Sequence, residues 1–135
     1  MNISSELLEE LIAHARSDPG NEVCGVVAVE PGAQIRAVRV HPASNLHASP
    51  LKFEIAPNEL LGLYNAIERD GLQLGAIYHS HVRSRPYPSQ TDVNFAANWP
   101  GVEWIIVGLA GGGEPEVRSY LIDDGEVREV PLEVG

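Results

Sequence analysis

The segment from residue 23 to residue 29 constrains the fold most. It reads Val-Cys-Gly-Val-Val-Ala-Val, so it is apolar, rich in β-branched residues and contains no charged residue. A run of that kind is typical of a buried strand. Two stretches with apolar residues at helical spacing accompany it: Ser5 to Arg16, and a second that begins at Pro57 and ends at Asp70-Gly71. Together these patterns predict helices packed on a sheet.

The rest of the chain adds strands and one short helix. Apolar segments predict further strands at 34–40, 52–55, 72–81, 104–109, 117–122 and 127–130. Ser89 begins a third helix that extends to about Asn98. The three glycines 111 to 113 predict a turn, because they precede a strand and lack the Lys-Ser/Thr ending of a phosphate-binding loop. The order α-β-β-β-α-β-α-β-β-β predicts one α/β domain over residues 1–135, with a mixed sheet flanked by helices.

Charge and cysteine content exclude several classes of protein. The chain has 19 acidic and 9 basic residues and a formal net charge of −10, which would repel a phosphate backbone and argues against nucleic-acid binding. No apolar run approaches the roughly 18 residues that span a bilayer, and residues 1–6 do not follow the pattern of a signal peptide. Cys24 is the single cysteine, which excludes an internal disulfide and favours the cytoplasm.

The sequence His79-Ser80-His81 closes the predicted strand 72–81 and points to a metal. Residues two apart in a strand face the same side, so His79 and His81 present both imidazoles to one point. Asp92 follows after a loop long enough to fold back. Two imidazoles and one carboxylate make a three-ligand Zn²⁺ site with a fourth position open to water. A His-x-His pair by itself is a weak signal, because short motifs recur by chance.

Three further residues are candidates for the chemistry, and each has a structural alternative. Glu22 stands just before the buried segment, where burial would suit it to act as general acid and base; the alternative is a solvated acid at the start of a strand. The Ser89 hydroxyl is placed to donate to an oxyanion, but Ser89 and Asp92 also match the Ser-x-x-Asp capping box of a helix. Cys24 is more often a small buried hydrophobe than a reactive thiol.

Taken together, these residues are far more specific than they are singly. Their order resembles the signature of the JAMM (MPN-plus) zinc metalloproteases, with seven residues between His81 and Ser89 and two between Ser89 and Asp92. The resemblance covers nearly the whole chain and implies an MPN/JAMM-type (cytidine-deaminase-like) α/β fold. It also implies one zinc ion per chain, held by His79, His81 and Asp92. Zinc-bound water would then be the nucleophile, with Glu22 as acid and base and Ser89 as oxyanion partner.

Within that family, the chain is most similar to small bacterial members that act on ubiquitin-like sulfur-carrier proteins. Segments 87–93, 118–120 and 124–125 carry this resemblance. It implies hydrolysis after the C-terminal Gly-Gly of such a carrier, with release of cysteine as a step of cysteine biosynthesis. Arg83 and Arg85 stand in the loop beside the metal site, where they either steer an acidic partner or tail carboxylate or are simply solvated.

Two alternatives belong to the same family. One is an isopeptidase that acts on ubiquitin-like conjugates, as the deubiquitinating relatives do. The other is a non-catalytic MPN module that only binds a partner, although degenerate modules lose motif residues and none of the five is lost here. Val82 stands where many relatives have proline after the second histidine, which leaves the metal ligands intact but changes the loop that follows.

Overall fold

An eight-stranded mixed sheet forms the centre of the molecule. The computed structural model describes residues 1–135, and its strands are β1 (Asn2–Ile3), β2 (Cys24–Glu30), β3 (Arg36–Ala43), β4 (Gln73–His81), β5 (Glu103–Gly108), β6 (Glu116–Asp123), β7 (Glu126–Val130) and β8 (Glu133–Val134). The helices are α1 (Ser5–Arg16), α2 (Pro57–Arg69) and α3 (Gln90–Ala96). The strand order is β7-β6-β5-β4-β2-β3-β1-β8. β4 therefore lies inside the sheet, antiparallel to β2 and parallel to β5.

The helices begin where the local chemistry allows them to. The Ser4 side chain accepts a hydrogen bond from the Leu7 N–H at 3.2 Å and so caps α1. α2 begins at Pro57, whose missing N–H costs nothing at a first helical position. Leu11 and Ala15 are the buried residues of α1. The predicted bounds of α1 are confirmed.

Two apolar layers cover the two faces of the sheet. The layer that includes α1 contains Val27 and Val29 of β2, whereas the layer that includes α2 and α3 contains Val26 and Ala28. Because side chains alternate along a strand, an uninterrupted apolar segment supplies both layers at once. The predicted α/β fold, a mixed sheet flanked by helices, is confirmed. None of the three helices is long and apolar enough to cross a membrane.

Gly25 shows how closely the central strands pack. A Cβ atom at this position would lie 2.5 Å from both the Tyr78 ring and the His41 carbonyl oxygen. Tyr78 on β4 pairs with Gly25 in the antiparallel register and is fully buried. The glycine within the apolar segment therefore makes room for an aromatic ring in the core.

The strand predicted at 52–55 is wrong. Phe53 and Ile55 alternate into the core with 4% and 2% exposure, which explains the strand-like pattern. The backbone of this segment, however, bonds to a neighbouring loop instead of a ladder: the Asn45 amide spans the Lys52 carbonyl and the Glu54 N–H at 3.0 and 3.2 Å. Alternating burial therefore occurs here without a strand.

The sheet also has two strands that the patterns do not predict. β1 and β8 contain two residues each and pair in parallel with one another at the edge. Two residues are too few for a period of two to be recognised. The turn predicted at glycines 111 to 113 is confirmed: it joins the antiparallel strands β5 and β6, and Gly112 adopts φ +70°.

Candidate metal centre

The candidate site lies at the end of β4, inside the layer formed by α2 and α3. His79 and His81 face the same side of this strand, and their exposed fractions are 0% and 3%. Their Nε2 atoms are 3.0 Å apart. The strand period therefore brings both imidazoles to one point, as the sequence predicts.

Asp92 reaches the same point from the first turn of α3. Its Oδ2 atom lies 3.1 Å from His79 Nε2 and 3.4 Å from His81 Nε2. The same oxygen accepts a hydrogen bond from the Ser89 N–H at 2.9 Å, and the Asp92 N–H donates to Ser89 Oγ at 3.1 Å. The capping box is thus real, and it aims the carboxylate at the histidines. The Ser89 hydroxyl keeps its own proton for another acceptor.

The spacing of these three atoms fits a divalent cation. A tetrahedral ion with bonds of about 2.0–2.1 Å keeps its ligand atoms about 3.3–3.4 Å apart. The observed separations are 3.0, 3.1 and 3.4 Å. His81 Nδ1 lies 2.9 Å from the Arg85 carbonyl oxygen, which can only accept, so Nδ1 carries the proton. In the neutral ring that leaves a lone pair on Nε2 for a metal.

Glu22 approaches the histidine pair from the start of β2. It is 5% exposed, and one carboxylate oxygen lies within 4.8 Å of a ring nitrogen of both His79 and His81. The histidines therefore share two acidic neighbours. Asp92 is the closer of the two and matches the spacing of ligand atoms, whereas Glu22 stands farther out, at a distance suited to a molecule between it and a metal.

The loop that follows β3 fixes the backbone of Glu22. Its N–H donates to the Ser49 carbonyl at 2.8 Å, and its carbonyl accepts from the Asn45 side-chain amide at 3.0 Å. Asn45 was not predicted as a functional residue, because its link to Glu22 spans 23 positions. The polar character of the 41–50 loop indicated only that its side chains could form hydrogen bonds to the backbone.

Burial and neighbouring charges shift the ionisation of the site. Burial raises the pKa of Glu22 to about 7, with a smaller rise from Asp92 and an opposing effect of His81. Burial would also raise the pKa of Asp92, but His79, His81 and the Ser89 N–H outweigh it and hold that pKa well below its usual range. Burial lowers the pKa of His79, so its imidazole stays neutral.

Comparison with known proteins identifies the family. The family model for prokaryotic homologs of the JAB domain matches residues 4–123. The chain belongs to the prokaryotic JAB family. The predicted resemblance to the JAMM (MPN-plus) group is therefore confirmed.

The relatives with known names include a peptidase and a desampylase. The CysO-cysteine peptidase of Mycobacterium tuberculosis is 36% identical over 132 residues, which cover 98% of this chain and 89% of that protein. The desampylase of Haloferax volcanii is 36% identical over 139 residues, covering 99% of this chain and 96% of that one.

Solved structures confirm the JAB1/MPN fold. A solution structure from Desulfitobacterium hafniense superposes with a TM-score of 0.88 at 30% identity and covers 99% of this chain and 92% of that one. The crystal structure of a JAB1/MPN domain protein from Archaeoglobus fulgidus gives a TM-score of 0.61 at 24% identity, with 99% and 98% coverage. At this identity, the similarity to the Archaeoglobus fulgidus protein shows only that the two chains share a fold.

The two arginines predicted beside the site lie on the surface of the 82–88 loop. Arg83 and Arg85 are exposed, and neither forms an ion pair. The Arg85 guanidinium stacks over the Tyr87 ring at 4.9 Å from its centroid. The loop that carries these two unpaired positive charges contacts His81 through the Arg85 carbonyl, in a chain of net charge −10.

Two further residues near the site, Cys24 and Phe53, are buried in the core. Cys24 is fully buried, and burial, followed by Glu59 and Glu22, raises the pKa of its thiol to about 12, so it is a protonated core residue as expected. Phe53 was not predicted to belong to the site, yet its ring stacks on His79 with centroids 4.3 Å apart. Its place in a segment of alternating burial was the only signal.

Proposed function

We propose that this chain is a cytoplasmic zinc metallopeptidase that hydrolyses the bond after the C-terminal Gly-Gly of a ubiquitin-like sulfur-carrier protein, and that cysteine is the residue released. The observation that carries the proposal is the convergence of His79, His81 and Asp92 within 3.4 Å, with Glu22 buried beside them. The name of the mycobacterial relative supports the choice of carrier and leaving group.

In this proposal His79, His81 and Asp92 hold one zinc ion. Bound zinc supplies Lewis acidity, which polarises the scissile carbonyl and lowers the pKa of coordinated water. Glu22 takes up a proton from the attacking water and passes it to the nitrogen of the leaving amine. A carboxyl with a pKa of about 7 can do both near neutral pH, because neither protonation state is rare there. The Ser89 hydroxyl donates to the carbonyl oxygen as negative charge develops on it.

The deciding experiment is mass spectrometry of a Gly-Gly-terminated sulfur carrier that bears a C-terminal cysteine. The zinc-loaded protein is expected to remove the mass of one cysteine residue from the carrier. Glu22→Gln is the matched control, since it keeps the shape of the side chain and the proposed zinc ligands but cannot accept the proton. Retained zinc with lost cleavage is the expected result for this variant. A fully active Glu22→Gln protein would overturn the mechanism.

A second substrate class is favoured by one observation. The haloarchaeal relative is named a desampylase, which suggests a protein conjugate instead of a carrier with a terminal cysteine. The same assay separates the two: an isopeptide-linked carrier conjugate should then be cleaved while the cysteine adduct persists. A zinc-loaded protein that binds carrier and cleaves neither substrate would support the non-catalytic MPN module.

Arg83 and Arg85 are proposed to attract the acidic groups of the substrate. Both are exposed and unpaired in the loop that follows His81, where a positive potential raises the rate of encounter with a negative partner. The double replacement of Arg83 and Arg85 by Ser should raise KM and weaken its dependence on salt. Replacing Arg16 and Arg128 by Ser is the matched control, because it removes the same charge from exposed positions elsewhere. Equal KM and salt dependence in both double variants would contradict this role.

A further inference from the structure

The 82–88 loop between β4 and α3 is held in place by a side chain from a distant strand. Tyr120 on β6 is 3% exposed, and its hydroxyl donates a hydrogen bond to the Pro86 carbonyl oxygen. The two residues are 34 positions apart in sequence. The bond therefore ties the middle of the loop to a strand that carries none of the proposed metal ligands.

A glycine on the intervening strand lets the loop come close enough for this bond. A Cβ atom at Gly108 would lie 2.8 Å from Pro86 Cδ, which is nearer than real Cβ atoms come, and 3.1 Å from Pro86 Cγ. Gly108 is also the partner of His81 in the parallel register of β4 and β5. The Pro86 ring therefore packs on the strand position directly beside His81.

Two groups of the loop meet His81 Nδ1: the Arg85 carbonyl at 2.9 Å and the Ser84 hydroxyl at 3.1 Å. The Arg85 carbonyl, which adjoins Pro86, accepts hydrogen bonds from His81 Nδ1 at 2.9 Å and from the Tyr87 N–H at 2.8 Å. The bond to Nδ1 selects the tautomer of His81 whose Nε2 lone pair faces Asp92 and His79. If the carbonyl moved away, the Ser84 hydroxyl could donate to Nδ1 instead, and the ring proton would then move to Nε2.

We propose that Tyr120 and Gly108 are positioning residues that fix the tautomer and orientation of His81 by clamping Pro86. Neither residue touches the histidines or Asp92 through its own side chain; both act through the Arg85 carbonyl. The consequence for zinc rests on the proposed metal site, whereas the consequence for the His81 tautomer does not. Outer partners of metal-binding histidines typically contribute 10- to 100-fold to metal affinity.

Two measurements on Tyr120→Phe test the clamp. Competition with a chelator should show zinc bound about 10-fold more weakly than by the unaltered protein. Long-range ¹H–¹⁵N spectra of the metal-free protein, recorded at a pH above the titration of its imidazoles, should show His81 changing from the Nδ1–H form to a mixture of tautomers. Gly108→Ala is a second route to the same result, because its methyl group displaces Pro86 without touching any hydroxyl.

Tyr87→Phe is the matched control. Tyr87 lies in the same loop and packs edge-to-face on Tyr120 with ring centroids 5.6 Å apart, but its hydroxyl makes no hydrogen bond. It should bind zinc like the unaltered protein and keep the Nδ1–H tautomer. A Tyr120→Phe protein with that same tautomer and zinc affinity, even if it melts at lower temperature, would overturn the clamp. Failure to cleave a carrier would count only against the proposed function, since neither measurement uses a substrate.

Discussion

Adjacent residues of β4 present polar groups to opposite faces of the sheet, and the hydrogen bonding of these groups differs between the two faces. On the α1 side, the Tyr78 hydroxyl lies 2.7 Å from His14 Nδ1, and Ser80 Oγ accepts a hydrogen bond from the Val23 N–H at 3.0 Å. Burial lowers the pKa of His14, so this histidine pairs as a neutral group. The Tyr78 and Ser80 hydroxyls therefore have one hydrogen-bond partner each.

On the opposite face the polar groups converge on one point, where their hydrogen bonds compete. Two imidazole Nε2 atoms and the Asp92 carboxylate meet within 3.4 Å, although a single proton can serve only one contact at a time. His79 Nδ1 is buried without a hydrogen-bond partner. Buried nitrogen and oxygen atoms that compete for one proton are only partly satisfied, and a cation at the point they share would satisfy all of them. The two faces therefore differ in what their polar groups do: those on the α1 side stabilise the core, whereas those on the opposite side are arranged to bind a ligand.

The largest expected effect comes from removing the negative charge of Asp92, the one anionic group among the three proposed metal ligands. Asp92→Asn keeps the shape of the side chain and an oxygen for the Ser89 N–H, but removes the anionic ligand. Zinc affinity should fall by more than about 100-fold, which exceeds the effect of losing an outer partner. Equilibrium dialysis against a zinc buffer measures it, and circular dichroism checks that α3 remains folded. An Asn variant that still holds one zinc at the affinity of the unaltered protein would remove Asp92 from the ligand set.

The next effect concerns the cost of burying Glu22 in the metal-free protein. Its pKa is about 7 when folded against an ordinary value of 4.5, so the folded state binds more protons than the unfolded state between these values. Stability should therefore be greatest below pH 4.5 as far as Glu22 is concerned, fall as the pH rises towards 7, and stay low above it. Glu22→Gln avoids this loss because the amide does not ionise.

Unfolding in urea with a chelator present measures this effect at two pH values. At pH 8 the Glu22→Gln protein should be more stable than the unaltered protein by about 2 kcal/mol, a figure reduced for partial screening by solvent. The advantage should shrink markedly at pH 5, where Glu22 is mostly protonated in the folded state. A stability difference that does not change with pH would show that burial does not raise the pKa of Glu22.

Local sequence patterns were sufficient for the parts of the molecule that depend on near neighbours. The bounds of α1 and the convergence of His79 and His81 follow from the periods of a helix and a strand. The contacts of Glu22 do not, because its approach to the histidines depends on the antiparallel register that pairs Cys24 with His79. The roles of these residues in catalysis stay predictions, although the structure brings the residues together.

Several features that could not be predicted rest on contacts that a local pattern does not specify. Phe53 and Ile55 alternate like a strand, but whether their backbone joins a ladder was decided by Asn45 in a preceding loop. The bond from Tyr120 to the Pro86 carbonyl joins two segments whose sequences carry no shared pattern. Apolar periodicity reports which side chains are buried, whereas it does not report which backbone or hydroxyl groups pair.

The smallest expected effect comes from the face on which the Tyr78 and Ser80 hydroxyls already have their partners. Tyr78→Phe removes the hydroxyl that meets His14 Nδ1 and leaves the packed ring in place. The loss of one such hydrogen bond should lower the free energy of unfolding by about 1 kcal/mol, because His14 keeps some access to water and is half-buried. Zinc affinity and cleavage should not change, even though Tyr78 is the immediate neighbour of His79. Urea unfolding and chelator competition on the same sample separate the two quantities. A variant that lost zinc affinity without losing stability would mean that the two faces of β4 are coupled, and the distinction between them would fail.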